Sequence, residues 1–340
     1  MNIKTEITKL HYNKQPKGII FNILKFASLF YGVGSGIKNF LYEKRILKPT
    51  HVNAYVISVG NLTTGGVGKT PIVAEIAKHL SSKGNKVGII SRGYGGKLSN
   101  KQINLISDGE KIYYNATLAG DEPYWLAENT SAIIVTSKDR IRAAKFAIKE
   151  FGVNKIILDD GFQHRKLHRD LDIVLMDSEK TFGNKYQLPA GPLRENLDSL
   201  HRVDKLVIVS KNIDHSNAEN LASTIEQKSG IPTFVCHTEP DIVYNINNGK
   251  MLHWDKDIIA MSAIGQPEQF FKFLTNYNII QKLVFDDHHS YSKSDIPSKE
   301  IPIITTEKDA VKLKDFGYTN IYALKLKTVI DVEDLLKDER

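Results

Sequence analysis

The sequence predicts an α/β protein, a parallel sheet flanked by helices with a smaller α/β lobe after it. Three observations carry this expectation. Short apolar, β-branched runs alternate with helical patterns along most of the chain. The stretch Tyr55 to Leu80, YVISVGNLTTGGVGKTPIVAEIAKHL, passes from such a run through glycines into an amphipathic helix. Beyond about residue 245 the apolar runs shorten and the texture changes.

The glycine-rich turn is the most informative stretch. It ends in Gly68, Lys69 and Thr70, the closing GK[ST] of a phosphate-binding P-loop. Thr63, Thr64, Gly65, Gly66 and Val67 lead into it. Glycines let the backbone approach phosphate oxygens and aim successive N–H groups at them. Lys69 is expected to bridge β- and γ-phosphates, Thr70 to hold Mg²⁺, and the helix that follows to add its positive end. Thr63 stands where the usual pattern has glycine. Strand before and helix after predict a P-loop NTPase-type sheet that binds a nucleoside triphosphate.

Length and composition set the bounds. The 340 residues suffice for one large domain or two moderate ones, and 41% hydrophobic with 25% charged residues is ordinary for a soluble globular chain. The single cysteine, Cys236, excludes an intrachain disulfide and reads as a small core residue. A net charge of +7 suits an anionic partner: nucleic acid, a membrane surface or a phosphorylated substrate.

In chain order, residues 18–47 (GIIFNILKFASLFYGVGSGIKNFLYEKRIL) are apolar and aromatic with interspersed lysines. The charge-free run from Phe26 to Ile37 is short of the ~20 residues of a spanning helix. A helix lying on an anionic membrane surface and a core-packed helix both fit; the basic, aromatic composition favours the first. Gly32, Gly34 and Gly36 are expected to break or kink it. Residues 1–48 therefore form a membrane-associating segment, 49–205 the P-loop core and 206–330 the smaller lobe.

After the P-loop unit, Lys86 to Ser91 reads as a buried strand, with SRGYGG at its C-terminal end. Ligands gather beyond the carboxyl ends of parallel strands, so Arg92 is placed to meet phosphate. A polar insertion, residues 97–117, precedes GDEPYWLAEN. Asp121 and Glu122 stand before Pro123, where acids favour a helix start. Ser131 to Thr136 is the next strand, and a solvated basic face is the default for Arg140 and Arg142. KIILDDGFQHR, from Lys155, has a short apolar strand ending in Asp159 and Asp160, the form of a strand that carries carboxylate to a metal beside a P-loop. Adjacent strand residues face opposite ways, so both serve only where the strand ends, as Gly161 suggests. Gln163 and His164 follow closely. LPAGPLRENLDSL, 188–200, is a loop entering a helix, with capping as the local reading of Glu195 beside Arg194. Lys205 to Ser210 and Thr233 to Cys236 are further strands. Ile258 to Ala263, Lys282 to Phe285, Ile301 to Thr305 and Ile321 to Leu326 make the smaller lobe. In FDDHHSY, Asp286, Asp287, His288 and His289 read as metal site, acid/base pair or polar loop; zinc is disfavoured because no matching Cys/His pair recurs.

Together SVGNLTTGGVGKTP, SRGYGG, GDEP, DDGFQHRKLHRDLDI, LPAGPLRE and FDDHHSY, with the basic aromatic N-terminus, closely resemble the tetraacyldisaccharide 4′-kinase family over nearly the whole chain. The resemblance implies transfer of the ATP γ-phosphoryl to the 4′-hydroxyl of an acylated glucosamine disaccharide 1-phosphate lipid at the cytoplasmic face of the inner membrane of a Gram-negative bacterium, with no nucleic acid involved. It implies Asp121 as base paired with His288, and Asp159, Asp160, Gln163 and Glu195 as the Mg²⁺-organising group around Thr70. Arg140 and Arg194 join Arg92 as phosphate or substrate partners. It also implies a second lobe that closes on the first. The rival is a membrane-attached ATPase or GTPase switch; VSKNID (Val209 to Asp214) has the letters of the guanine motif N-K-x-D out of order. A nucleic-acid-stimulated ATPase rests on charge alone, with no binding module readable.

Overall fold

The computed structural model describes residues 3–211, 214–252, 257–264, 267–286 and 289–337, with side chains from residue 6 onward. The chain divides into two compact units: residues 1–209, 216–236 and 330–340 form the first, and residues 210–215 and 237–329 the second.

The first unit opens with helices α1 (Ile3–Tyr12) and α2 (Ile19–Glu43). Strands β1 (Tyr55–Asn61), β2 (Val87–Ser91), β3 (Asn104–Asp108), β4 (Ile133–Thr136), β5 (Lys155–Asp159), β6 (Leu171–Asp177) and β7 (Lys205–Ser210) stand in the order β7-β6-β1-β5-β2-β4-β3. All pairs are parallel except β3 on β4. Between them run α3 (Lys69–Ser82), α4 (Ala116–Ala119), α5 (Asp121–Asn129), α6 (Arg140–Phe151) and, after β7, α7 (Ser216–Ser229). The region 97–117, read from sequence as a polar insertion, contains the antiparallel edge strand β3. Strand β7 and helix α7, assigned by sequence to the smaller lobe, lie in the first unit.

Burial follows from strand alternation. On β1, Ile57 and Val59 turn to one face and pack with Ile72, Ile76 and Leu80 of α3; Val56 turns to the other and joins Ala143, Ala144 and Ala147 of α6. The alanines let α6 lie close to the sheet. Each large aliphatic side chain so buried stabilises by about 1.5–3 kcal/mol. This two-sided packing holds the carboxyl ends of β1 and β5 in register, with Val59 opposite Asp159.

Helix α2 is continuous over 25 residues, so the expected break at Gly32, Gly34 and Gly36 does not occur. An interior glycine costs only about 1 kcal/mol against alanine, and this helix is held by side-chain bonds along its length. Ser28 Oγ donates to Gln187 O (2.9 Å), Gln187 Nε2 to Ser35 Oγ (3.1 Å), and Tyr31 OH to Arg194 O (3.0 Å). At Gly32 a Cβ would stand 2.6 Å from Gln187 Oε1, so glycine there permits close approach.

In the second unit, β8 (Thr233–Asn245, entered from the first unit at His237), β9 (Asp257–Ser262), β10 (Asn278–Val284), β11 (Ile303–Thr306) and β12 (Ile321–Val329) stand in the order β10-β9-β11-β12-β8. Only β8 runs antiparallel, against β12. Helices α8 (Pro267–Phe273) and α9 (Glu307–Leu313) belong to this unit, and α10 (Val332–Leu335) to the first. Phe270, Phe271 and Leu274 cover one sheet face, and Met261, Leu313 and Ile321 the other.

Candidate active site

The P-loop leaves β1 at Asn61, the last residue of the strand. Thr63 is buried and forms an antiparallel bridge with Leu193. Thr64 N donates to Pro192 O (2.7 Å), and Arg194 N to Leu62 O (2.7 Å). The LPAGPLRE loop thus splints the entry to the P-loop, a role that explains the tolerance of Thr63 where glycine is usual. Tyr12 OH of α1 donates to Thr64 O (3.1 Å). Gly68, at φ +88°, takes the left-handed conformation and caps α3, so Lys69 and Thr70 open the helix.

Lys69 Nζ donates to Asn61 Oδ1 (3.0 Å) and lies 3.4 Å from Asp160 Oδ1. Strand β5 ends at Asp159, as Gly161 led us to expect, and Asp160 follows at φ +53°. That left-handed residue turns the chain, and both carboxylates feel the charge of Lys69. Arg194 Nη1 holds Asp160 at 2.7 and 2.9 Å, while Arg140 Nη1 donates to the Asp160 backbone carbonyl (2.9 Å). Arg140 is therefore buried in the site, correcting the solvated face read from local pattern. Gln163 Nε2 donates to Asn61 O (3.0 Å), and its Oε1 accepts from Arg194 (3.4 Å). Close packing fixes this cluster: a Cβ on Gly60 would lie 2.6 Å from Phe162 Cβ.

Electrostatics divide the two aspartates. Burial, reinforced by the charge of Glu122 and opposed by Lys69, raises the Asp159 pKa to about 6. Burial also works against the Asp160 carboxylate, yet Lys69 and Arg194 outweigh it and hold its pKa below the ordinary value. Burial, followed by the charge of Arg140, depresses His164 to about 4, so the ring is neutral at pH 7. Asp159 Oδ1 is buried without a hydrogen-bond partner. An orphan carboxylate oxygen with a second carboxylate near it, at the end of the strand next to the P-loop strand, is a hard-oxygen set that fits Mg²⁺.

Other expected residues are arranged differently. Glu195 is buried, bonded to Asn39 Nδ2 of α2 (2.8 Å) and ion-paired with Arg202. Its partners thus tie the loop to α2, and the capping read from local pattern is not its bond. Asp121 and Glu122 are exposed on the first turn of α5. The loops that carry Arg92 and Asp121 are joined by backbone bonds, Lys97 N to Thr117 O (3.2 Å) and Leu98 N to Leu118 O (3.1 Å). Arg92 is exposed, its guanidinium 5.1 Å from the Tyr94 ring centre, and its charge reaches Arg140. Asp287 and His288 lie outside the described residues. His289, in the second unit, stacks on Phe285 (4.6 Å) and pairs with Asp295 (3.3 Å). Sequence reasoning missed Asn61 and Glu122. Asn61 had one signal, a polar side chain at the carboxyl end of the strand before the P-loop.

The family model described as LpxK, tetraacyldisaccharide-1-P 4′-kinase, matches residues 20–339. A tetraacyldisaccharide 4′-kinase of Syntrophus aciditrophicus is 37% identical over 314 residues, 86% of this chain and 84% of that one. One from Desulfotalea psychrophila is 36% identical, covering 94% and 96% respectively. A crystal structure of "apo" form LpxK from Aquifex aeolicus in complex with ATP superposes with a TM-score of 0.74 at 34% identity, covering 94% of this chain and 98% of that one. Matches of this identity and coverage show that the chain belongs to the LpxK family.

Proposed function

We propose that the chain transfers the γ-phosphoryl of ATP to the 4′-hydroxyl of tetraacyldisaccharide 1-phosphate, a step of lipid A biosynthesis. The observation that carries the reading is the cluster of Lys69, Asp159, Asp160, Gln163 and Arg194 at the mouth of the P-loop, in a chain of this family. Phosphoryl transfer requires positioning and neutralised charge more than covalent chemistry. The P-loop amides and Lys69 hold the phosphates. Thr70, Asp159 and Asp160 would hold Mg²⁺, which would neutralise charge on the phosphate oxygens; Arg194, bonded to Gln163, keeps Asp160 aimed. Arg140 and Arg92 extend the positive field toward phosphate, and Glu195 fixes the supporting loop to α2. Asp121 accepts the proton of the acceptor hydroxyl. His288 is assigned as its partner on the family motif alone.

Helix α2 supports a membrane-surface role at the cytoplasmic face of the inner membrane. By length and composition it is sufficient to cross a membrane, so the short charge-free run did not exclude a span. Its Ser28, Tyr31, Ser35 and Asn39, however, are bonded to the loop at 187–195, including Asn39 to Glu195. Ile20, Ile23, Phe26, Phe30, Val33 and Ile37, at helical spacing, are each more than half exposed. One face docked and one apolar face open is the arrangement of a helix lying in the interface. The anionic surface and the acyl chains of the substrate are its partners in this reading.

The test is ADP release measured with and without the lipid acceptor. Acceptor-dependent release is expected; equal rates in both would favour the switch reading.

A further inference from the structure

In the second unit, His215, His237 and Glu239 converge, and their ligand atoms all lie within 4.8 Å of one another. We propose that these three residues form a binding site for a divalent transition-metal ion of the zinc, cobalt or nickel type. The site is separate in residues and in chemistry from the oxygen-donor set assigned to Mg²⁺.

Strand geometry makes half of it. His237 and Glu239 stand two residues apart on β8, so their side chains share a face, and His237 Nε2 is 3.0 Å from Glu239 Oε1. Pairing with β12 sets His237 opposite Val329 and Glu239 opposite Lys327. The chain before α7 delivers the other half. The His215 ring stacks on His237 with centres 3.9 Å apart and planes 26° apart; the in-plane lone pairs of stacked rings run side by side, so one ring turns about its χ angles to share an ion with the other. All three residues are half-buried, so a cation can reach them without opening the core.

The donor set argues for the class of ion. Two imidazoles and one carboxylate are borderline ligands that suit Zn²⁺ and its neighbours, whereas Mg²⁺ prefers oxygen alone. Bonds of about 2.0–2.2 Å set tetrahedral ligands about 3.4 Å apart. The ligand atoms lie no more than 4.8 Å apart, a gap that side-chain rotation can adjust to that spacing. Supporting groups are in place. His215 Nδ1 is 3.2 Å from Ser210 Oγ; when it donates there, its lone pair lies on Nε2. Lys327 Nζ pairs with Glu239 Oε2 at 3.2 Å, holding the carboxylate with Oε1 toward the histidines. Sequence spacing gave no hint of this site, since His215 and His237 are 22 positions apart with only Glu239 nearby.

The experiment is Co²⁺ titration of the full-length, chelator-treated protein in detergent, read by visible absorption, where four- and five-coordinate Co²⁺ absorbs strongly. Wild type is expected to bind with an intense band that His215→Ala and His237→Ala each weaken at least tenfold in affinity, while Asp160→Asn leaves it in place. Glu239→Gln, at a half-buried strand position, serves as a further variant should a histidine variant lose its circular dichroism spectrum. No intense band in the wild type, or an unchanged affinity in the folded variants among these three, would overturn the proposal.

Discussion

Asp160 concentrates more of the site than any other residue: its carboxylate meets Lys69 and Arg194, and its carbonyl meets Arg140. Asp160→Asn retains a residue that tolerates φ > 0 but removes the charge. It should therefore fold normally and lose turnover by about 10²-fold or more, since charge placement is the main catalytic device in such transfers; steady-state kinetics beside a melting curve checks both halves. Asp159 gives a pH prediction. Its folded pKa of about 6 exceeds the ordinary carboxyl value of 3.8, so the folded, metal-free chain binds the proton more tightly than the unfolded chain. The Asp159 contribution to stability is then fully present below pH ~4 and is lost as pH rises through ~6, by up to about 3 kcal/mol. Urea unfolding of wild type and Asp159→Asn in chelator at several pH values isolates it, and the stability difference between the two should shift against the wild type over that range. A difference that shifts the other way would refute the electrostatic account. Asp121→Ala and His288→Ala should each lower turnover by orders of magnitude while ATP binding persists, measured by nucleotide titration; near-normal turnover in both would remove the proposed base.

At the scale of elements, the P-loop unit was readable because its signals are local: a β-branched run, glycines, then Pro71 in the first turn of an amphipathic helix. The sharp end of β5 was readable for the same reason. What escaped depends on groups far apart in sequence. Arg140 opens a helix with a basic surface pattern, and only the left-handed turn at Asp160 gives it a buried carbonyl to hold. Glu195 resembles a cap locally, yet Asn39, 156 positions away, is its partner. The glycines of α2 resemble breakers until Gln187 packs against Gly32. The Gly60–Phe162 contact yields a stability prediction. Gly60→Ala should destabilise by about 1–3 kcal/mol, because its methyl meets both Phe162 Cβ and the Phe162 backbone, at 2.6 and 2.8 Å; chemical denaturation measures it. For α2, Phe26→Glu with Phe30→Glu should reduce sedimentation with anionic vesicles severalfold while activity on detergent-dispersed substrate is largely kept. Full retention on vesicles would remove the membrane-surface reading.

On the scale of the whole molecule, the family was identifiable from sequence because its motifs occur in one order along nearly the full chain, and the family match over residues 20–339 agrees. Fold class was equally accessible, since a parallel sheet buried on both faces writes continuous apolar runs. The division into units was less accessible: β8 continues unbroken from the first unit into the second, and residues 330–337 return to the first. No composition shift marks either crossing. The net charge of +7 suits both a phosphorylated lipid and an anionic surface and by itself distinguishes neither.

The most direct test follows the phosphoryl group. Purified protein in detergent, given γ-labelled ATP, Mg²⁺ and tetraacyldisaccharide 1-phosphate, should place label in the lipid fraction, and position analysis should find it at the 4′ carbon. Label recovered only as free phosphate, with the lipid unchanged, would overturn the assignment and make the chain a nucleotide hydrolase or switch.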